Sequence, residues 1–439
     1  MANRVLLSLT LFISLTSVLC EPFRFDNFSL FKVVPDDAHH IKLLQDLQNS
    51  DINYDFWTDP VPSAEFVSIM TSPMNKVALE HFLSLHGIKY EITMPNIQEA
   101  IDKETIKTYT RNNLRSMSWD AYYNLSDINI WMADMARTYP DVVTEFVAGV
   151  SYEHRQIKGL KISHGPGRKI IFVEAGMHSR EWITMSTACY IINELLTSTD
   201  NDTMAAARDF DWYIIPVANP DGYVWTHTDF RMWRKNRRPF GTNFGVDLNR
   251  NWNNNWLVSG ASTNPASDIY AGPGPFSEPE TRSLSSFIRS VGDIDMYLSF
   301  HSFSQLLLIP FGNTTEPVGN YHDTLNIGRR AMGALSVRYG TQYVTGNIAE
   351  AIYQATGGSV DWVKEHLQVP IVYCYELRDR GQFGFLLPTD QILPNNEEAM
   401  DSVIDLIHQA RRFGYLSGGS VGLQVSFILM LVGVLASLW

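Results

Sequence analysis

His178 and Glu181, three residues apart in Gly176-Met177-His178-Ser179-Arg180-Glu181-Trp182, have types and a spacing that could do chemistry. A neutral imidazole and a carboxylate on one turn can reach the same cation, and a borderline nitrogen beside a hard oxygen suits zinc. Taken alone, the two also fit a surface or capping pair, since His-x-x-Glu recurs by chance. His301 adds weight, because it closes the apolar run Asp295-Met296-Tyr297-Leu298-Ser299-Phe300 and offers a third donor from another strand end. Three protein donors with one position left for water make a catalytic zinc site, whereas a structural site closes with four. Glu376 ends a further apolar run, Val369-Pro370-Ile371-Val372-Tyr373-Cys374-Tyr375. A carboxylate there is costly to bury unless it has a task, and proton transfer beside a metal is the task that fits.

These residues need elements to position them. Lys169 to Ala175 is a β-branched apolar run of the kind that fills a central parallel strand, and Trp182 to Leu196 is long and apolar enough for a core helix. His178 and Glu181 therefore sit where the chain leaves a strand's carboxyl end, the place where open α/β sheets bind ligands. Strands are expected near 157–163, 169–175, 211–218, 295–300 and 369–376, and helices near 182–197, 277–291, 321–339 and 396–413. Such alternation implies a mixed, mostly parallel sheet flanked by helices on both faces. A helix over 126–138 places Ile128, Trp131, Met132, Met135 and Tyr139 on one face. Ser277-Glu278-Pro279-Glu280 reads as a capping box ahead of the helix ending at Val291.

Residues from about Glu21 to Arg115 differ in character. Ala38–Asn49 and Met74–Leu85 have helical periodicity, and Glu65–Met70 and Lys89–Thr93 read as strands, which together make a small two-layer α/β unit. A polar linker, Asp102 to Arg115, follows and carries Lys103, Lys107, Arg111 and Arg115. The chain of 439 residues thus reads as one large α/β domain with a small one ahead of it.

Met1 to Cys20 has the charge, the short apolar core and the small residues of a secretory signal. Sequons at Asn27, Asn124, Asn201 and Asn313 fit a secreted chain. Net charge is −13, which excludes a nucleic-acid partner because phosphate binding needs a basic face. With Cys20 removed, Cys189 and Cys374 remain, both in apolar runs, so two buried thiols are favoured over a bridge. After Tyr415, small residues, a short spacer and the apolar run Phe427 to Trp439 have the order of a GPI-attachment signal, with Ser417 or Gly418 as the attachment site. A membrane span competes, but no Lys or Arg follows the tail to hold a cytoplasmic end.

Taken together, several motifs resemble the zinc carboxypeptidases of the pancreatic A/B family. They are His178-Ser179-Arg180-Glu181, Asn219-Pro220-Asp221-Gly222-Tyr223, Arg231-Met232-Trp233-Arg234-Lys235, Gly245 to Trp252, His301-Ser302-Phe303-Ser304-Gln305, Ile352-Tyr353-Gln354, Gly357 to Trp362 and Glu376-Leu377-Arg378-Asp379. They run in family order across roughly residues 118 to 415. The resemblance implies zinc on His178, Glu181 and His301, the His2Glu set for which carboxypeptidase A is itself a standard example. It implies Glu376 as general base, Arg234 as stabiliser of the oxyanion, and Asp247 as the carboxylate that orients His178. Arg250 would grip a terminal carboxylate, with Asn249 and Tyr353 as neutral donors. Arg180, Ser302 and Phe303 would line the rest of the site; Phe303 stands where many relatives have Tyr.

The resemblance also aligns Val360 with the position that is acidic in basic-specific members and basic in acidic-specific ones. Leu308, Gly312, Ile348, Ala355 and Cys374 match other pocket positions and are apolar or small. A charged terminal side chain would sit there desolvated and unpaired, so aliphatic and aromatic C-terminal residues are expected as substrates. The arrangement implied is a signal peptide (1–20), an activation propeptide of open-sandwich fold (21–111), a catalytic domain (112–415) and a removed C-terminal signal (416–439). A trypsin-like protease is expected to cut after Arg111 or Arg115. The product is expected to be a monomer tethered by a lipid anchor at the cell surface; carboxypeptidase O relatives carry a comparable tail, with a basic residue at the Val360 position. Relatives often carry a disulfide in the loop after Asn249-Arg250; the Ala266 to Gly272 stretch has no cysteine, so a looser loop is expected. The alternatives are a family member that binds peptides without cleaving them, and a deacylase sharing only the metal ligands.

Overall fold

The computed structural model describes residues 21–50, 53–62, 65–104, 106–107 and 117–416. The secretory signal with Cys20, the cuts after Arg111 and Arg115, and the tail from Ser417 onward lie outside the described residues.

The small domain runs β1 (Ser29–Val34), α1 (Ala38–Ser50), β2 (Tyr54–Phe56), β3 (Val67–Thr71), α2 (Pro73–Leu85), β4 (Lys89–Met94) and α3 (Ile97–Lys103). Its strands form an antiparallel sheet in the order β2-β3-β1-β4. Strand alternation divides its side chains between two cores. Phe31, Val33, Val67 and Ile69 face the helices and meet Leu44, Leu79 and Leu83. Leu30 and Met70 face the other way and pack, with Phe25, Trp57, Met94 and Ile97, on Met232, Phe303, Phe385 and Leu386 of the large domain.

The large domain begins with α4 (Leu125–Thr138), β5 (Val143–Val150), β6 (Gln156–Ile162), β7 (Lys169–Ala175), α5 (Trp182–Thr197), α6 (Asn201–Asp209), β8 (Phe210–Ile215) and α7 (Pro220–Thr228). A two-stranded ribbon of β9 (Pro239–Phe240) and β10 (Asn243–Phe244) precedes α8 (Pro279–Val291), β11 (Ile294–Ser302), β12 (Leu306–Ile309) and α9 (Tyr321–Tyr339). Then come β13 (Val344–Asn347), α10 (Ile348–Ala351), α11 (Ser359–His366), β14 (Ile371–Leu377) and α12 (Ile392–Arg412). Eight strands line up as β13-β12-β14-β11-β7-β8-β6-β5. The middle four, β14 to β8, are parallel, while β12 on one side and β6 and β5 on the other run antiparallel to their inner neighbours.

Both faces of this sheet are covered, which is why its strands read as continuous apolar runs rather than alternating ones. Ile171 and Val173 of β7 join α4, α5, α9 and α12 in one core, and Phe172 joins α8 and α11 in the other. Each fully buried Leu or Ile contributes about 1.5–3 kcal/mol relative to exposure. Truncating one such side chain, for example Ile327→Ala, costs about 2–5 kcal/mol through the cavity it leaves. Among the described residues no helix is long and apolar enough to cross a membrane. Cys189 and Cys374 are both free and buried.

Three local expectations change. The helix ending at Val291 is capped at Glu278 without a side-chain bond, and no capping box forms. Glu280 is instead drawn inward, its oxygens accepting from the Tyr152 N–H at 2.9 Å and the Asn236 amide at 3.1 Å. The polar linker starts later than expected, since α3 runs to Lys103 and Glu104 is buried. The loop without a cysteine is not loose: Lys235 Nζ donates to the carbonyls of Pro265 and Ser267 at 2.8 and 2.9 Å, and Arg250 Nε to that of Gly260 at 2.7 Å. Buried donors left unpaired would cost about 1–3 kcal/mol each, so these bonds hold the loop where a disulfide would otherwise act.

Candidate active site

The sheet builds the site through register. β11 and β14 run parallel with His301 directly beside Glu376, and β7 on the other flank of β11 ends at Ala175, three residues before His178. Gly176 turns the chain out of β7 with φ +67°, and a Cβ there would lie 2.9 Å from the Pro216 carbonyl. Glu181 then occupies the N-cap of α5.

His178, Glu181 and His301 converge, with ligating atoms within 4.8 Å of one another. His178 Nδ1 lies 2.8 Å from Glu181 Oε1, and His301 Nδ1 lies 3.1 Å from both Glu181 Oε2 and His178 Nδ1. His178 Nε2 faces Asp247 Oδ1 at 3.1 Å, so that carboxylate accepts a hydrogen bond from the Nε2–H and leaves the Nδ1 lone pair for a cation. Zinc bonds of about 2.0–2.1 Å in a tetrahedral site hold donors about 3.3 Å apart. Small outward shifts of the three donors meet that spacing. All three side chains are buried, and Arg234 approaches the group from one side, its Nη1 4.0 Å from Glu181 Oε1. The residues fit a zinc ion.

Charge is arranged around this centre. Burial raises Glu181, but His178 and His301 hold it below the ordinary carboxylate range. Burial likewise opposes the ionised form of Asp247, and Arg234, His178 and Arg250 together pull it well down. Arg234 clasps Asp247 Oδ2 from Nε and Nη2 at 3.0 and 2.8 Å. Glu376 differs from both, because burial pushes it up to about 8, with His301 opposing and Glu181 adding to the rise. One carboxylate is kept ionised for a metal while the neighbouring one is poised to take and return a proton.

The cleft is a cavity of about 850 Å³ that holds the three ligands, Glu376, Arg234, Asn249, Arg250, Ser302, Phe303 and Tyr353. Arg250 Nη2 donates to the Tyr353 hydroxyl at 2.6 Å, and the Asn249 amide lies 3.4 Å from His301 Nε2. The Ser302 N–H donates to Glu181 Oε2 at 3.3 Å. At one end Val360, Leu308, Gly312, Ile348, Ala355 and Cys374 come together as expected from their types. Asp361 lies beside them, its Oδ2 accepting from the Gly312 N–H at 2.8 Å, with burial pushing it up to about 7.

The small domain closes the cleft, and here the structure adds what sequence reading missed. Arg231, Arg234, Lys235, Arg237 and Arg238 could have been a solvated basic surface, but the first four are buried or nearly so. Arg231 holds Glu104 with two bonds of 2.6 Å and stacks 3.6 Å over Trp182. Arg180 lines the same cavity. It is buried between Asp55 of the small domain and Asp268, at 3.3 and 3.4 Å, with its guanidinium over Phe385. Trp57 packs against the contacting rings of Phe303 and Phe385, with centroids 6.5 and 5.1 Å away. Nothing in the spacing of Asp55, Trp57 and Glu104 marks them as partners of residues more than 120 positions away. Of the sequons, Asn27 and Asn201 are exposed, Asn124 caps α4, and Asn313 is half-buried beside the pocket residue Gly312.

Comparison with known proteins agrees with this geometry. The zinc carboxypeptidase family model matches residues 128–402, and that of the carboxypeptidase activation peptide matches residues 31–104. Zinc carboxypeptidase A 1 of Anopheles gambiae is 38% identical over 407 residues, covering 92% of this chain and 94% of that protein. Human carboxypeptidase O is 37% identical over 360 residues, covering 80% and 94%. The crystal structure of carboxypeptidase A from Helicoverpa armigera superposes with a TM-score of 0.79 at 29% identity, covering 89% of this chain and 99% of that one. A buried His2Glu site on parallel strand ends, a carboxylate beside it and a covering domain of the activation-peptide type all coincide with those matches, and the chain belongs to the zinc carboxypeptidase family.

Proposed function

We propose that this metallocarboxypeptidase, made as a zymogen, removes aliphatic and aromatic residues from peptide C-termini. The reading is carried by one observation: a buried Arg250, bonded to the half-buried Tyr353, shares a cavity with the metal donors and Glu376, with an apolar pocket beyond it. Arg250 meets the terminal carboxylate with a planar pair of donors, and Asn249 and Tyr353 add neutral ones. The terminal side chain then enters the pocket of Val360, Leu308, Ile348, Ala355 and Cys374. An anionic side chain there would lose its water without gaining a cation, and a cationic one would meet only Asp361, whose carboxyl burial pushes up to about 7, so ionised side chains are disfavoured.

When bound, zinc supplies a Lewis acid and lowers the pKa of its water toward about 7. Glu376 accepts the proton of the attacking water and later delivers it to the leaving amine. Arg234 holds positive charge where the scissile carbonyl oxygen becomes negative. Asp247 fixes both the His178 ring and the Arg234 guanidinium, so neither must reorganise during the reaction.

The finer reading extends to processing. Residues 1–20 direct secretion, a trypsin-like cut after Arg111 or Arg115 releases the propeptide, and Ser417 receives a GPI anchor. A panel of blocked dipeptides differing in C-terminal residue, assayed with and without a zinc chelator, tests the activity. Zinc-dependent release of Phe and Leu ahead of Lys and Asp is expected. Faster release of Lys or Asp would overturn the pocket reading, and peptide binding without turnover would overturn the catalytic one. N-terminal sequencing of the active form and treatment with a phosphatidylinositol-specific phospholipase test the rest. A Glu21 start with full activity, or retention in the membrane after treatment, would refute those two steps.

A further inference from the structure

Glu174 is a buried carboxyl with no part in the mechanism above, although it sits on the strand that leads to His178. It is 1% exposed and aligned with Ser299 of β11 in the parallel register. Among the described residues it forms no ion pair, and burial raises its pKa, with the Ser359 hydroxyl and His301 opposing. Its Oε1 accepts two hydroxyls, from Ser299 at 2.9 Å and from Ser359 at 2.6 Å.

Those partners matter for where they stand. Ser299 lies two residues before His301. Ser359 opens α11, immediately before Val360 at the end of the terminal-residue pocket. The Ser359 N–H also donates to Asn249 Oδ1 at 3.0 Å, and the Asn249 amide reaches toward His301. The turn into α11 is pressed against the carboxylate-binding residues: Gly357 has φ +78°, and a Cβ there would lie 2.4 Å from the Arg250 carbonyl. Any shift of Ser359 is therefore passed to Val360 on one side and to Asn249 and Arg250 on the other.

We propose that Glu174 is a positioning residue for substrate selection. As a shared acceptor beneath the site, it ties the start of α11, and with it Val360 and Asn249, to the strands that carry the metal ligands. A buried carboxyl bonded to two hydroxyls is kept here because a hydroxyl hydrogen bond fixes direction as well as distance, which an apolar contact does not.

This inference rests on the carboxypeptidase reading, and zinc-dependent turnover by the wild-type protein measures that reading separately. The test compares Ser359→Ala, Glu174→Leu and Glu174→Gln in the full chain after proteolytic activation, with blocked dipeptides ending in Phe, Leu and Gly. Ser359→Ala and Glu174→Leu are expected to raise KM about fivefold or more and to lower the Phe-to-Gly ratio of kcat/KM about tenfold. Bound zinc should stay at one per chain and kcat within about twofold. Glu174→Gln, which retains an acceptor oxygen, should restore most of the ratio. Two results would overturn the proposal. One is an unchanged KM and Phe-to-Gly ratio in Ser359→Ala, a variant that removes a single oxygen and keeps the question answerable if Glu174→Leu does not fold. The other is a uniform fall in kcat for every substrate, in step with melting temperature, which is what a merely structural role gives.

Discussion

Replacing Glu104 by Ala tests how the small domain is held shut. Glu104 and Arg231 form a two-bond ion pair at 2.6 Å, with side chains 3% and 5% exposed. Removing one partner of a buried pair costs about 3–5 kcal/mol, because the other charge is left in a medium that does not solvate it. Arg231 keeps its bonds to the Arg180 and Phe385 carbonyls and its stack on Trp182, so the lower figure applies. About 3 kcal/mol is a factor of roughly 100 in an equilibrium constant. The apolar contacts of Trp57, Phe25 and Met70 remain, and the variant should still fold with the cleft covered most of the time. Residual activity of the intact Glu104→Ala zymogen toward a blocked dipeptide, expressed as a fraction of its activity after complete proteolytic activation, should rise by up to about 100-fold. Activity after activation should match wild type, since Glu104 leaves with the propeptide. A residual fraction within twofold of wild type, in a variant whose melting curve shows a folded zymogen, would refute the view that this pair latches the cleft.

Other consequences follow from the same geometry. Glu376→Gln keeps shape but cannot shuttle a proton, and kcat should fall about 10²- to 10⁴-fold with bound zinc unchanged; undiminished turnover would remove Glu376 from the mechanism. Val360→Asp should move preference toward C-terminal Lys and Arg by placing a carboxylate at the pocket end, read as the ratio of kcat/KM for Lys against Leu substrates. Glu280 is pushed up to about 7 from 4.5 by burial, with the Tyr152 and Asn236 hydrogen bonds opposing. Its folded pKa is the higher one, so its contribution to stability is complete below about pH 4.5 and is lost as pH rises through 7. The gap corresponds to roughly 3 kcal/mol. In Glu280→Gln the decline in denaturant midpoint between pH 5 and 7.5 should therefore be shallower than in wild type; an equal slope would show that the group does not titrate with folding.

Much of the fold was legible in the amino-acid order. Apolar runs at Lys169–Ala175, Asp295–Phe300 and Val369–Tyr375 marked the central strands, because a strand covered on both faces must be apolar throughout. Short outer strands were not seen: β13, Val344-Thr345-Gly346-Asn347, has no run long enough to read, and its pairing to β12 is supplied by the sheet. The expected capping box failed because Glu280 gains more from the interior donors of Tyr152 and Asn236 than from a helix end.

The sequence by itself determined the chemistry available: two imidazoles and a carboxylate at strand ends, a further carboxylate on a neighbouring run, and an arginine beside an asparagine. Residue type settles which atoms can hold a cation or donate a proton, and strand periodicity settles that they emerge at one edge. Only the tertiary structure decided which charges are buried and what faces them. Glu104 meets Arg231 across 127 residues and Glu174 meets Ser359 across 185. No local pattern encodes such partners, because they are selected by packing and by the desolvation that packing imposes. The same burial separates Glu181, held ionised between two imidazoles, from Glu376, raised to about 8 at the end of β14.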